Sequence, residues 1–179
     1  MPVALPGFDS PAAGFDQPYE MLAACHERVQ RTLDLLGRLI AHVERHGHDT
    51  QSRSAAADVL RYFDLAAPLH HQDEELHVFP LLLAQGDAGV RALVQGLQAD
   101  HREMEELWAT LRPVLQGWCE PGAHGAPDAA LQQAARRFVE LYARHIPAEE
   151  SVVFPGARAL MDTTRQRAMG EEMQERRRS

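Results

Sequence analysis

The sequence predicts an all-α protein: an antiparallel up-down-up-down four-helix bundle with an N-terminal arm and a short C-terminal helix or tail. Three observations support this fold class. Apolar residues recur at helical spacing in four long segments, the connections between them are short, and no segment shows the alternation of a β-strand. With 179 residues and 45% hydrophobic side chains, the chain can bury the core of one domain.

The helix boundaries follow from turn and capping residues. Asp87 and Asp128 are expected N-caps, because an Asp side chain can accept hydrogen bonds from the first backbone N–H groups of a helix. A Gly- and Pro-rich loop is expected over residues 117–127, before the last long helix. The four helices are predicted at about residues 18–46, 52–83, 88–116 and 129–161.

Proline and arginine mark the less regular parts of the chain. Pro68 and Pro80 are expected to kink or shorten the second helix, since proline removes a helical hydrogen bond. The basic residues 176–178 are expected to form a solvated tip. The domain boundaries predicted from these patterns are an arm at 1–17, the bundle at 18–162 and a polar helix or tail at 163–179.

Composition narrows the classes of function. The formal net charge of −8 makes nucleic acid a poor candidate partner, and the sequence has no apolar run long enough to suggest a membrane span. Two cysteines do not make a disulfide framework, and the N-terminal residues lack the pattern of a signal peptide. We therefore expect a cytoplasmic protein that binds no nucleic acid and no membrane.

An internal repeat carries the chemistry. The segment HHQDEELHVFP, which begins at His70, matches HIPAEESVVFP, which begins at His145, and the offset of 75 residues also carries His26 onto His101. A spacing of four residues places His70 and Glu74 on one helix face, as it does the equivalent pair in the second half. The repeat predicts an inward-facing metal site formed by His26, His70, Glu74, His101, His145 and Glu149.

This ligand set suits two metal ions. Four imidazoles with one bond each and two bridging carboxylates with two each would give each ion four protein bonds. A bridging water or hydroxide would leave one position open on an octahedral ion. Imidazole and carboxylate suit iron or manganese, and zinc is a further candidate. Burying two glutamates without a cation would be costly.

The order of these residues resembles the hemerythrin-like, or HHE cation-binding, family, whose EE-x-x-x-FP signature is similar to EELHVFP and EESVVFP here. The resemblance covers roughly residues 18–160. It implies an antiparallel four-helix bundle with a non-haem di-iron centre that binds dioxygen or a related small molecule. Ferritin-like di-iron proteins match less well, because they place Glu before His at a spacing of three.

Several positions keep more than one interpretation. Respiratory hemerythrins carry a further His four residues after the third-helix His, where this chain has Glu105; the equivalent first-helix residue is Gln30. Glu105 is open to being a seventh ligand, a group beside the ligands or a polar group of the ligand pocket. Glu75 and Glu150 are the alternatives to their neighbouring glutamates, but a spacing of five residues turns a side chain off the His face, so we prefer Glu74 and Glu149.

Residues beside the predicted ligands are assigned smaller roles. Met104 and Trp108 are expected to form part of an apolar wall beside the open metal position. His71 and His77 have no partner in the second half and are expected at the surface or beside the ligands. Cys25 is expected to be a small core residue.

Two classes of function remain at this stage. The first is a binding protein that captures dioxygen, nitric oxide or peroxide for sensing, storage or scavenging. The second is an oxidase, a peroxidase, or an iron-delivery or iron–sulfur repair protein. We favour the binding protein, assign no catalytic residue, and note that long amphipathic helices are compatible with a homodimer.

Overall fold

The computed structural model describes residues 14–178, so the proposed arm lies almost entirely outside the described residues. Every regular element in that range is helical, which confirms the predicted all-α class. No helix between residues 14 and 178 is long and apolar enough to cross a bilayer. We number the helices α1 (Pro18–His46), α2 (50–85), α3 (Ala88–Cys119), α4 (129–159) and α5 (Thr163–Arg176).

Aspartate caps define the N-termini of four helices. Asp87 accepts a hydrogen bond from the backbone N–H of Val90, and Asp128 accepts one from that of Leu131, so both predicted N-caps are confirmed. Asp49 and Asp162 cap α2 and α5 in the same way. These four helices therefore begin where the sequence supplies an acceptor for otherwise unpaired N–H groups.

Pro68 and Pro80, which were expected to kink or shorten the second helix, follow π-helical turns, and so does Pro155. The turns are Tyr62–Ala66, Glu74–Val78 and Glu149–Val153, and each is followed after one residue by proline. The backbone N–H of Phe79, for example, bonds to the carbonyl of Glu74, five residues earlier. The wider turn lets the chain accommodate a residue that has no N–H, so α2 and α4 continue through their prolines. Two of these turns begin at the predicted glutamate ligands.

The core consists of two apolar clusters separated by a polar layer. One cluster includes Val29 and Leu36 of α1, and the other includes Leu22 of the same helix. His26 lies between them in sequence, and the predicted ligands of the other helices occupy the same intermediate position. Within the described residues, α1 contacts α2 and α4, and α3 contacts the same two helices. The helices therefore form a closed ring around the polar layer.

Helix α5 packs against the end of the core nearer Leu22, through Met169 and Met173. Gly170 lies against the backbone of Phe15, where an added Cβ would come within 1.7 Å of the carbonyl oxygen. The predicted solvated tip is wrong for the first two of its three arginines. Arg176 and Arg177 are mostly buried, because both form ion pairs with a fully buried carboxylate, that of Asp73.

Candidate metal centre

The side chains singled out by the repeat meet in the polar layer. The imidazoles are 2–3% exposed and the two carboxylates are fully buried. All four long helices contribute, and each supplies one histidine. The shortest contacts are 3.1 Å for Glu74 Oε1–His70 Nε2, 3.4 Å for Glu74 Oε2–His101 Nε2, 2.9 Å for Glu149 Oε1–His145 Nε2 and 3.2 Å for Glu149 Oε2–His26 Nε2.

These atoms fall into two overlapping sets, each with four ligand atoms within 4.8 Å of one another. Glu74 and Glu149 belong to both sets, whereas each histidine belongs to one. Such sharing is the arrangement that two bridging carboxylates would give. The first set is His26, His70, Glu74 and Glu149, and the second is Glu74, His101, His145 and Glu149.

The donor set fits metal ions better than it fits a hydrogen-bonded core. Neither oxygen of Glu74 or Glu149 has a hydrogen-bond partner among residues 14–178, although imidazole nitrogens lie about 3 Å away. His101 Nε2 and His145 Nε2 also face each other at 3.1 Å. Two buried carboxylates without hydrogen bonds are costly unless a cation neutralises them. The arrangement is therefore suited to cations held between the carboxylates and the imidazoles.

Glu75 and Glu150 lie outside both sets and contact the Nδ1 atoms of two histidines, on the side of each ring opposite the ligand nitrogen. Glu150 Oε1 is 2.9 Å from His26 Nδ1, and Glu75 Oε1 is 3.0 Å from His101 Nδ1. A carboxylate that accepts the Nδ1–H bond fixes the ring orientation and leaves Nε2 free to bind a metal. The structure thus supports Glu74 and Glu149 as the residues that face the centre.

The other two histidines neighbour residues that are also related by the offset of 75. His145 Nδ1 lies 3.4 Å from Asp100 Oδ2, whereas His70 Nδ1 has no hydrogen-bond partner among residues 14–178. Burial alone would raise the pKa of Cys25, but the neighbouring His70 outweighs it and lowers that pKa. Cys25 is therefore not only a core residue. Comparing Cys25 with Asp100, its equivalent in the second half of the repeat, would have indicated that it neighbours one of these histidines.

Glu105 and Gln30 are exposed and belong to neither set of ligand atoms. Glu105 instead lines a small pocket together with Met104 and Trp108, the two residues expected to form an apolar wall. Among its three interpretations, the structure favours a polar group of the pocket. Gln30 lines a separate and larger surface pocket beside His26.

His71, which was expected at the surface or beside the predicted ligands, lies beside them. It is only 9% exposed, its ring stacks on His101 at a centroid distance of 4.0 Å, and its Nε2 lies 3.4 Å from the Tyr142 hydroxyl. Burial and the neighbouring His101 hold the pKa of His71 well below its ordinary value. The signal available in the sequence was Ile146, the equivalent residue, whose apolar side chain indicates an inward-facing position.

Metal uptake is expected to release protons. Burial would lower the pKa of His101, but the neighbouring carboxylates of Glu74 and Glu75 raise that pKa to about 9. In the metal-free chain this ring therefore carries a proton at neutral pH, and a metal ion must displace it. The apparent affinity should rise with pH by about tenfold per unit for each displaced proton, until pH exceeds about 9.

Calorimetric titration of the metal-free chain in buffers of different ionisation enthalpy would measure this release. We expect the observed enthalpy at pH 7.5 to depend on the buffer, with a slope of at least one proton per chain. An enthalpy that does not change between buffers would contradict the expectation.

Comparison with known proteins agrees with this geometry. The sequence profile of the hemerythrin HHE cation binding domain matches residues 17–157. The chain belongs to the hemerythrin HHE cation-binding family. This hemerythrin-like chain is also 32% identical over 165 residues to an "Uncharacterized protein" of Haemophilus influenzae, with 92% of each chain covered. The match spans almost the full length of both proteins.

Proposed function

We propose that this hemerythrin-like protein binds two iron ions in the polar layer and captures dioxygen or a related small molecule, nitric oxide or peroxide. The observation that carries the proposal is the sharing of Glu74 and Glu149 between two complete sets of ligand atoms. Two shared carboxylates hold two ions close together. The short connections and the ring of helix contacts further support an up-down-up-down order of α1 to α4.

The residues around the centre have separable tasks in this proposal. Glu74 and Glu149 hold both ions, and each histidine binds one. Glu75 and Glu150 accept the Nδ1–H bonds of His101 and His26, which keeps the opposite nitrogens directed inward. Bound iron would supply reversible electron transfer to a small ligand. The protein's own contribution is to orient the donors and to exclude water.

A pocket of about 50 Å³ is the proposed place for the small ligand. This pocket adjoins the metal centre at His71, because the His71 ring lines the pocket and stacks on His101. The volume suits a diatomic molecule or peroxide and excludes larger substrates. Most of the lining is apolar and buried, with Phe63, Met104 and Phe138 each at most 3% exposed. Such walls would shield a bound ligand from water.

The test is the optical spectrum of protein loaded anaerobically with Fe(II), recorded before and after exposure to oxygen. We expect two iron ions per chain and a charge-transfer band that appears with oxygen and fades when oxygen is removed. A chain that retains no stoichiometric iron would contradict the metal centre. Irreversible oxidation without such a band would contradict reversible capture.

An oxidase or peroxidase is the second candidate, and the polar groups of the pocket favour it. The Tyr142 hydroxyl contacts His71, and Glu105 stands at the exposed side of the same pocket. A buried phenol beside an imidazole is suited to supplying a proton or a hydrogen atom. Multiple turnovers of peroxide with a reductant, absent from the metal-free protein, would support this candidate over simple binding.

The hydrogen-bonding groups of this pocket lead to a prediction about anion binding. Replacing His71 by Phe keeps a ring on His101 but removes the hydrogen-bonding nitrogens. We expect azide to bind the ferric protein about fivefold more weakly in this variant, since a lost hydrogen bond costs about 1 kcal/mol. Optical titration with azide would measure it.

Two tyrosine variants complete that experiment, the first as a second test and the second as a control. Y142F removes the hydroxyl that contacts His71 and should weaken azide binding in the same direction. Y62F removes a buried hydroxyl that bonds to the carbonyl of Cys25, outside the pocket, and should leave the affinity unchanged. Equal affinities in all four proteins would show that the pocket does not contact the anion.

A further inference from the structure

The two ends of the metal centre are related by the repeat, but their surroundings differ. At one end Glu150 contacts His26, and at the other Glu75 contacts His101. The two pairs are equivalent under the offset of 75 residues. Different neighbours around these equivalent pairs therefore give the two halves of the centre different access from the surface.

Gln98 closes one end. Its amide Nε2 donates a 2.7 Å hydrogen bond to Glu75 Oε2, while Glu75 Oε1 contacts His101. Both oxygens of this carboxylate are therefore held. The equivalent residue at the other end is Ala23, which has no side-chain donor. The side chain of Glu150 is 46% exposed, compared with 34% for Glu75.

A surface pocket of about 730 Å³ adjoins the end that has alanine. Ala23 and Ala24 form part of its lining, and so does His26, whose ring is 2% exposed and whose Nε2 faces the centre. His26 therefore lies between this pocket and the ligand atoms of its set. Moving it requires breaking its bond with Glu150.

The charge of this pocket favours cations. Three carboxylates line it, those of Glu20, Glu27 and Glu150, against the single guanidinium of Arg158, which pairs with Glu20 at 2.7 Å. Divalent ions such as Fe(II) prefer oxygen and imidazole donors, and an acidic surface raises their local concentration. A cation held by Glu150 would lie beside the first imidazole of the centre.

We propose that divalent cations reach the centre through this pocket, held first by Glu150 and then passed inward beside His26. The proposal rests on the metal-binding function proposed above. The opposite end is not the route, because Gln98 and His101 together hold Glu75 in place. Ala23 and Gln98 thus give the two halves of the repeat different rates of metal exchange.

Exchanging the two residues that differ tests the route. A23Q introduces a side chain that can hold Glu150 and narrow the pocket, and Q98A is the matched control at the opposite end. Cobalt(II) is a convenient probe, because its binding changes the visible absorption of the protein in stopped-flow mixing. We expect A23Q to slow cobalt uptake about tenfold and Q98A to take up cobalt at the wild-type rate.

Release gives an independent measure of the same step. A residue along a route alters the barrier and leaves both end states as they were, so uptake and release must slow by the same factor. We expect A23Q to lose cobalt to excess EDTA about tenfold more slowly than the wild type, with an unchanged Kd. A changed Kd with an unchanged uptake rate would show that Ala23 affects the site and not the route.

The outcomes separate this proposal from the one on which it rests. Wild-type protein that binds no cobalt would overturn the metal centre itself. Normal binding with equal rates in wild type, A23Q and Q98A would overturn the route alone. Faster uptake in Q98A with no change in A23Q would place the route at the His101 end.

Discussion

Replacing Glu149 by Ala should reduce the iron content from two ions per chain to one or none, the largest functional effect that the structure predicts. Glu149 belongs to both sets of ligand atoms, so its loss removes a ligand from each ion. E74A should have the same effect. H26A removes a ligand from one set only and should leave more iron bound. Metal analysis after anaerobic loading and desalting measures the number of iron ions per chain in each variant.

The neighbouring glutamates provide matched controls for this comparison. Glu75 and Glu150 lie one residue further along the chain and contact the histidines from behind, so E75Q and E150Q should retain two ions. Full loading of both E74A and E149A would contradict the assignment. Loss of iron from E75Q and E150Q alone would transfer the ligand role to those residues.

In the metal-free chain the charges of the Glu74 and Glu149 carboxylates depend on the histidines. Its buried carboxylates have no hydrogen-bond partner in the described part of the chain, so their charge is stabilised chiefly by the nearby imidazoles. Burial alone would raise the pKa of Glu74, but the imidazoles of His70 and His101 outweigh it and hold that pKa well below its ordinary value. Metal ions bound in place of the imidazole protons would stabilise the folded chain.

The six residues could be predicted because they depend on local geometry and repetition. A spacing of four residues fixes which side chains share a helix face, and the offset of 75 repeats that face in the second half. Both rules hold before any tertiary contact is known. The helix N-caps were predictable for the same reason, since Asp87 and Asp128 act on backbone groups three residues away.

The choice between the two positions expected for His71, and the π-helical turns, depend on more than these local rules. Contacts with Tyr142 and His101, which come from other helices, place His71 beside the predicted ligands. The rule that proline breaks a helix failed at Pro80, because a wider turn removes the clash that the rule assumes. Sequence patterns thus located the cluster of buried histidines and glutamates, whereas packing between helices determines the pocket beside it.

Removing both Arg176 and Arg177 should destabilise the protein by about 3–5 kcal/mol, because the variant leaves the carboxylate of Asp73 buried without a counter-charge. Arg177 Nη2 lies 2.6 Å from Asp73 Oδ2, and Arg176 Nη2 lies 2.8 Å from Asp73 Oδ1. Asp73 is fully buried and directly precedes Glu74. Urea unfolding of the metal-free double alanine variant would measure the loss.

A double-mutant cycle separates the ion pairs from the packing of α5. D73N removes the buried charge, so it should destabilise the double arginine variant less than it destabilises the wild type. The difference between the two effects, the coupling energy, should be about 1–3 kcal/mol. A double arginine variant within about 0.5 kcal/mol of wild type in its free energy of unfolding would contradict the prediction, since surface substitutions fall in that range.

Because Asp73 adjoins Glu74, the double arginine variant should also lose bound metal to a chelator faster than the wild type. Helix α5 thereby contributes to holding the centre without supplying a ligand.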